Sequence, residues 1–154
     1  YEDKDDLLSD FLAHLLDGLE ADLREDRPED PYDRLQALLE KIAPRELSEE
    51  HGQFFQALLE MRAQMPHESA YREQFRRTDE LIVTELAATI EDGIEDGTFR
   101  AVDPERTAEF ILVTLFGTLD RTIPLDEHQR IADMRDELDR YVEMRLLKDD
   151  GAEK

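Results

Sequence analysis

One segment of this chain is apolar on almost every side. Residues 108–119 read AEFILVTLFGTL in a chain whose 41 acidic residues outnumber 19 lysines and arginines, for a net charge of −22. Its longest apolar stretch, FILVTLFGTL from Phe110 to Leu119, is about half the roughly 20 residues that a membrane-spanning helix needs. A soluble helix that is apolar all round must be covered on every side. In a domain of this size one face packs on the core, and the opposite face needs another partner.

The rest of the chain predicts helices almost throughout. Apolar residues recur at three- and four-residue steps, and no segment sustains the alternation that is typical of strands. We therefore expect an all-α bundle of about six helices and no second domain. The expected helices span about 4–24, 32–42, 48–66, 69–96, 104–122 and 126–148.

Particular residues indicate where these helices begin and end. Ser48 and Asp103 have the side chains that cap a helix N-terminus, and Pro104 suits the first helical position. Gly97 is the expected left-handed stop of the fourth helix. Asp126 resembles a cap as well, because Gln129 follows it at capping-box spacing.

The acidic composition restricts the partners of this chain. A surface of this charge repels phosphate, so this segment alone is not expected to bind nucleic acid. The chain combines many acidic residues with only four lysines, a composition that resembles proteins from salt-accumulating halophiles. A charged surface that is merely well solvated is the simpler alternative. Without cysteines the chain has neither disulfides nor thiolate metal sites. We expect a cytoplasmic protein that does not enter the membrane.

No pattern for catalysis or metal binding is visible. The four histidines are not spaced i, i+4, and there is no Glu-x-x-His, glycine-rich phosphate loop or Gly-x-Ser-x-Gly. Function must be argued from a site, and none of these sites is present in the sequence. We therefore expect no enzymatic activity, metal or cofactor.

Apolar side chains on several helices are candidates for a ligand cavity. Small-molecule pockets are mostly apolar with few polar anchors, although plain core packing is the commoner role of such residues. Arg62 could orient an acidic ligand or point into solvent, and the sequence favours solvent. The candidate pocket residues are Phe11, His14, Phe54, Leu58, Met61, Met65, Tyr71, Phe75, Thr78, Ile82, Phe110 and Thr114.

The last two helices predict a homodimer. The fifth has an excess apolar face and the sixth a narrow stripe, so two copies would form a four-helix bundle around a two-fold axis. The alternative is that both helices are absorbed by the domain's own core. A charge at Leu115 or Leu138 is expected to give monomers. The candidate interface residues are Ile111, Leu115, Gly117, Thr118, Ile131, Met134, Leu138, Tyr141, Val142 and Arg145.

Two segments of the chain resemble the regulatory domain of TetR-family transcriptional regulators. Residues 90–121, IEDGIEDGTFRAVDPERTAEFILVTLFGTLDR, combine a helix ending in glycine, a Gly-x-Phe-Arg link, an Asp-Pro start and an apolar helix. Residues 54–82 resemble the same domain in the subclass around the choline-sensing repressor BetI. The resemblance implies a TetR-like C-terminal helical bundle that senses a small-molecule effector and dimerises, here of haloarchaeal type.

The resemblance also gives the first residues a role. Residues 1–4, Tyr-Glu-Asp-Lys, match the end of the family's helix-turn-helix DNA-binding domain, where Tyr1 and Lys4 would contact DNA phosphate. The head that binds operator DNA would then be absent from this chain. Residues 5–149 would sense and dimerise, and residues 150–154 would form a tail. Effector binding would shift the first helix and separate the heads of a repressor. The alternative function is an acidic helical module that binds proteins and has no pocket.

The charge leads to a prediction about salt. At molar salt the Debye length falls to about 3 Å, so the repulsion among the acids of a chain of net charge −22 is screened. We expect the melting temperature to be lower in dilute buffer than in molar KCl, as followed by circular dichroism. Equal melting temperatures in the two buffers would contradict a halophilic surface.

Overall fold

Six helices make up the part of the chain that the structure describes. The computed structural model describes residues 4–148, with backbone alone for Lys4 and Asp5. The predicted all-α fold is confirmed. The helices are α1 (Lys4–Arg24), α2 (Pro31–Ile42), α3 (Glu49–Ala63), α4 (Ser69–Glu95), α5 (Pro104–Thr122) and α6 (Arg130–Arg145).

Side-chain caps fix where three of these helices begin. The Ser48 hydroxyl accepts a hydrogen bond from the backbone N–H of His51 at 3.1 Å, and the Asp103 carboxylate accepts one from Arg106 at 3.1 Å. Both predicted caps are confirmed. Asp30 caps α2 in the same way, so that helix begins at Pro31, one residue earlier than expected. Each cap satisfies an amide that the helix itself leaves without a partner.

The prediction that the last helix begins at Asp126 is wrong. Asp126 has a φ of 56°, in the left-handed region, whereas a capping residue needs extended backbone. Its carboxylate therefore does not start a helix. The segment closes the end of α5 instead, because the backbone N–H of Glu127 donates to the Thr122 carbonyl at 2.8 Å. Helix α6 begins only at Arg130, without a side-chain cap.

Helix α6 stops earlier than the sequence indicates, because the chain after it pairs briefly with the backbone of residues 98–100. The Arg100 N–H donates to the Leu146 carbonyl at 2.7 Å, and the Lys148 N–H donates to the Thr98 carbonyl at 3.2 Å. These bonds make an isolated antiparallel bridge between Phe99 and Leu147. Gly97, with a φ of 87°, is the left-handed stop of α4 that the sequence predicts, and it turns the chain into this link.

The chain divides into two compact units, a subdivision within the expected single domain that the sequence did not indicate. The N-terminal unit contains residues 4–25 and 47–82, so it includes α1, α3 and the first half of α4. The C-terminal unit contains residues 26–46 and 83–148, with α2, the second half of α4, α5 and α6. The predicted end segments, residues 1–3 and 149–154, lie outside the described residues.

A buried arginine joins α6 to the end of α2 inside the C-terminal unit. Arg135 is only 2% exposed, and its guanidinium donates to the backbone carbonyls of Leu39 and Ala43 at 3.2 and 2.6 Å. It also pairs with the Glu40 carboxylate at 3.0 Å. The Leu39 carbonyl already accepts the Ala43 N–H at 2.9 Å, so Arg135 adds a second donor there, and a cation near a helix C-terminus interacts favourably with the helix dipole. Desolvation lowers the pKa of Arg135, and the Glu40 charge raises it in opposition.

Arg45 makes a second connection between the same two regions. Its guanidinium pairs with the carboxylates of Asp136 and Asp139 on α6, and it reaches the Ala132 carbonyl at 3.4 Å. These hydrogen bonds and charges raise the pKa of Arg45 despite its partial desolvation. Together, Arg45 and Arg135 fix the lengthwise position of α6, which apolar contacts alone leave less defined.

We predict that Arg135→Met destabilises the protein by about 2–4 kcal/mol, because two helix-terminal carbonyls and a carboxylate lose a charged donor. Denaturant unfolding in molar KCl measures this loss. The control is Arg140→Met on the same helix, where the Arg140–Glu137 pair is 69% and 66% exposed. Its effect should stay within about 0.5 kcal/mol. Equal losses in the two variants would mean that the buried guanidinium does not hold α6.

Candidate functional site

An apolar core in the N-terminal unit collects half of the candidate pocket residues. Helices α1, α3 and α4 each contribute side chains that pack against one another. The buried members are Leu12, Leu16, Leu58, Met61, Tyr71 and Phe75, and Leu8, Leu15, Phe54 and Met65 pack around them. Six residues that the sequence singled out, five on α3 and α4 and Met65 just after α3, therefore meet in space, while their ligand role stays a proposal.

The same unit buries two candidates on α4 and exposes two on α1. Thr78 and Ile82 are 3% and 1% exposed. Phe11 is 47% exposed and His14 is exposed too, so neither lines the core in this structure. The inner line of α1 runs through Leu12 and its neighbours one turn apart. His14 lies two residues from Leu12, about 200° around the helix, which explains its position.

The last two pocket candidates lie in the C-terminal unit. Phe110 is 53% exposed, and its ring packs against Tyr141 with centroids 5.0 Å apart. Thr114 is partly buried and donates its hydroxyl to the Phe110 carbonyl at 2.9 Å. Neither belongs to the core of the N-terminal unit, because Phe110 lies on the exposed side of α5 and Thr114 lines the groove between α5 and α6. The apolar run on α5 did not indicate which of its sides faces inward.

Arg62 takes a position that the sequence did not predict. Its guanidinium makes two hydrogen bonds to the Asp79 carboxylate, at 3.3 and 2.9 Å. It also lies over the Phe75 ring, 5.3 Å from the centroid. Arg62 therefore borders the core without pointing simply into solvent, and Asp79 compensates its charge. A cation held in this way is a poor anchor for an acidic ligand.

Two polar atoms in the N-terminal unit are buried without a hydrogen-bond partner among the described residues. They are the Thr78 hydroxyl and the side-chain carbonyl oxygen of Gln74. The amide nitrogen of Gln74 donates to the Ser9 hydroxyl on α1 at 3.1 Å. A buried polar group left without a partner costs about 1–3 kcal/mol, so such atoms call for an explanation. The sequence pointed to Thr78 but not to Gln74. Gln74 could have been found from the sequence, because it lies four residues before Thr78, on the same side of a helix.

A groove between α5 and α6 forms the second candidate site. It has a volume of about 420 Å³ and is open on one side. Gly117 leaves open space on its wall, since a Cβ added there would meet no atom within 4 Å. Large apolar side chains beside it are exposed, with Val113 at 65% and Met134 at 43%. The lining residues are Val113, Thr114, Gly117, Thr118, Arg121, Thr122, Arg130, Asp133 and Met134.

The structure divides the candidate dimer-interface residues between the core of the C-terminal unit and its surface. Six of its residues are buried within the single chain and belong to the core of the C-terminal unit: Ile111, Leu115, Thr118, Ile131, Leu138 and Val142. Gly117, Met134 and Arg145 are exposed, and Tyr141 is partly buried. Leu115 and Leu138 are 1% and 4% exposed, so a charge at either would disrupt folding and does not test dimerisation.

Neither a metal centre nor a membrane span is found within residues 4–148. In that range no three or more histidine, aspartate or glutamate side chains are grouped to hold a metal ion. None of the helices described there has the length and apolarity that crossing a membrane requires. The two apolar regions are therefore the features on which function can be argued.

Comparison with known proteins identifies the family. The family of BetI-type transcriptional repressors, C-terminal domain, matches residues 31–147. The chain belongs to this family. A solved structure of a TetR transcription regulator from Haloarcula marismortui is 33% identical, with a TM-score of 0.88 over 95% of this chain and 80% of that one. No curated protein shows significant similarity to the chain.

Membership in the BetI-type family gives the two sites a context. The chain is a regulatory domain of a TetR-type transcriptional regulator, as its sequence resemblance predicted. The family is one of transcriptional regulators and not of enzymes. Within the described residues, the apolar core of the N-terminal unit and the exposed apolar groove between α5 and α6 are the features to which a regulatory role can be related.

Proposed function

We propose that this chain is the effector-sensing and homodimerising domain of a TetR-like repressor, in which effector binding alters operator affinity. The exposed apolar surface along α5 and α6 carries the proposal. Phe110, Val113 and Met134 are 53%, 65% and 43% exposed. Apolar patches of this kind on a soluble protein mark interaction sites. The occupant that we propose for this surface is a second copy of the chain.

Charge supports a second copy as the partner. Two chains with a net charge of −22 each repel one another over most of their surfaces. The groove is different, because its charged lining residues are Arg121, Arg130 and Asp133, of which Arg130 also pairs with Glu127 of the same chain at 3.0 Å. A two-fold axis brings the same patch of both chains together, so arginines of one copy can meet the aspartate of the other. Repulsion between two copies is therefore weaker at this groove than the net charge of the chain alone implies.

The signal would enter through the N-terminal unit. Its core combines apolar side chains with buried polar atoms, which is the composition of small-molecule sites. We propose that a ligand there moves α1, which leads toward the DNA-binding head. Tyr1 and Lys4 remain candidates for phosphate contacts, although Tyr1 and the Lys4 side chain lie outside the described part. Such a protein acts on DNA in the cytoplasm and catalyses no reaction.

We predict that Val113→Asp converts the dimer to monomers. Light scattering in molar KCl should give twice the 18.0 kDa chain mass for the original protein and the single mass for the variant. A charge buried in an apolar contact is strongly unfavourable. Because Val113 is 65% exposed in one chain, the variant should keep its helical circular dichroism.

Leu125→Asp is the matched control for dimerisation. Leu125 is 63% exposed, about as much as Val113, but it lies in the turn after α5 and does not line the groove. This variant should remain dimeric. Dissociation by both substitutions, or a monomeric original protein, would exclude the α5–α6 groove as the dimer surface.

We predict that an effector changes the distance between the two copies of α1 in the dimer. The chain has no cysteine, so Asp10→Cys on the exposed side of α1 gives one spin label per chain. Double electron–electron resonance then reports one label-to-label distance. A panel of small alcohols, amines and carboxylic acids provides the probes, and at least one should shift that distance.

Glu91→Cys on the exposed side of α4 provides the control label in the C-terminal unit. Its distance should change less than that of the α1 label, because dimerisation holds this unit. An intact dimer in which no compound changes the α1 distance would contradict effector sensing.

A further inference from the structure

The buried polar atoms in the N-terminal unit indicate what kind of molecule it binds. Thr78 is 3% exposed, and its hydroxyl has no hydrogen-bond partner within the described chain. The side-chain carbonyl oxygen of Gln74 is buried and lacks a partner there as well. Both groups are neutral, so no ion pair offsets the free-energy cost of burying them. Folded proteins seldom leave such groups unsatisfied unless another molecule satisfies them.

Other threonines of the chain show that the state of Thr78 is unusual. A helical threonine ordinarily donates its hydroxyl to the carbonyl four residues earlier. Thr89 does so to the Glu85 carbonyl at 2.9 Å, and Thr118 does so to the Thr114 carbonyl at 2.8 Å. Thr122 follows the same rule at 2.7 Å. The Thr78 hydroxyl makes no such bond, and its oxygen is therefore available to a ligand.

Helical spacing brings the two oxygens to one side of α4. Gln74 and Thr78 are four residues apart, so their Cβ atoms lie about 5–6 Å from each other. The bond from the Gln74 amide to Ser9 directs this side chain toward α1, within the same unit. Tyr71 and Phe75, which are four residues apart on α4, belong to the apolar core. A carbonyl oxygen that only accepts and a hydroxyl that accepts and donates thus border an apolar environment.

The charges of this unit argue against an acidic ligand. A carboxylate has no donor at neutral pH, and it would bring negative charge to the Gln74 carbonyl oxygen. The net charge of −22 adds long-range repulsion. Two cations of this unit near the core have partners already: Arg62 makes two hydrogen bonds to Asp79, and Arg72 donates to the Met65 carbonyl at 3.4 Å.

We infer that the effector is a small, largely apolar molecule that carries O–H or N–H donors, is neutral or cationic, and hydrogen-bonds to Gln74 and Thr78. This inference rests on the proposed effector-sensing function and specifies its chemistry. Thr78 can also donate in return, so an alcohol fits the pair as well as an ammonium group does. The apolar remainder of the molecule would contact the side chains around Phe75.

Three six-carbon probes that differ only in their polar group test the inference. They are 1-hexanol, hexylammonium and hexanoate, titrated into the whole chain in molar KCl. Nitrogen-edited NMR follows the side-chain amide of Gln74. We expect the alcohol and the ammonium to shift this signal with dissociation constants at least tenfold lower than that of hexanoate. Tighter or equal binding of hexanoate, or no shift with any probe, would overturn the inference.

Thr78→Val and Thr89→Val form a matched pair of variants. Without ligand, Thr78→Val should leave the melting temperature unchanged or higher, because no bond is lost. Thr89→Val loses its bond to Glu85 and should melt roughly 2–4 °C lower. Thr78→Val should weaken binding of 1-hexanol about tenfold, and Thr89→Val should not. Equal losses of melting temperature would show that Thr78 is satisfied without a ligand, for instance by a buried water, and would overturn the inference.

Failure of this inference is distinguishable from failure of effector sensing. If hexanoate binds best and changes the spacing of the α1 labels, the domain senses a ligand and only the donor chemistry is wrong. If no compound of the panel changes that spacing in an intact dimer, the sensing function itself is wrong.

Discussion

Helix α5 carries more apolar surface than one chain covers. Both its packing inside the C-terminal unit and the contact that we propose with a second chain depend on this excess. Its inner side, which includes Ile111 and Leu115 at 0% and 1% exposure, packs into the unit. Its outer side leaves Phe110 and Val113 half exposed or more. Burial of apolar area is the main favourable term in folding and association alike. One helix thus serves the core of the chain and, as we propose, the contact with a second chain.

Polar contacts give that apolar helix a defined neighbour. Arg135 is a buried residue of α6 that donates to the carbonyls of Leu39 and Ala43 at the end of α2. Arg45 pairs with Asp139 on α6. Apolar packing is not directional, whereas these bonds require particular carbonyls and carboxylates. These bonds therefore hold α6, one wall of the α5–α6 groove, in a defined position against the end of α2. In a chain of net charge −22, arginines at such positions also reduce the repulsion between acids.

The sequence predicted the helices well because their signals are local. Caps such as Ser48 and the stop at Gly97 act within a few residues, and both are confirmed. Which side of a helix faces inward depends on distant contacts, so Phe110 was placed in a pocket and Leu115 in an interface. The start of α6 was misplaced because Asp126 adopts a left-handed backbone that its side chain does not announce. Partnerless oxygens, as at Gln74, emerge only from three-dimensional packing.

The most direct test of this account is an isotope-filtered NMR measurement on mixed dimers. One copy carries labelled methyl groups, the other carries none, and the filter detects only contacts between copies. In molar KCl we expect such contacts from the methyl groups of Val113 and Met134, which are exposed in the single chain. A dimer whose contacts between copies arise only from other helices, or a chain that shows none, would contradict the α5–α6 surface as the basis of assembly.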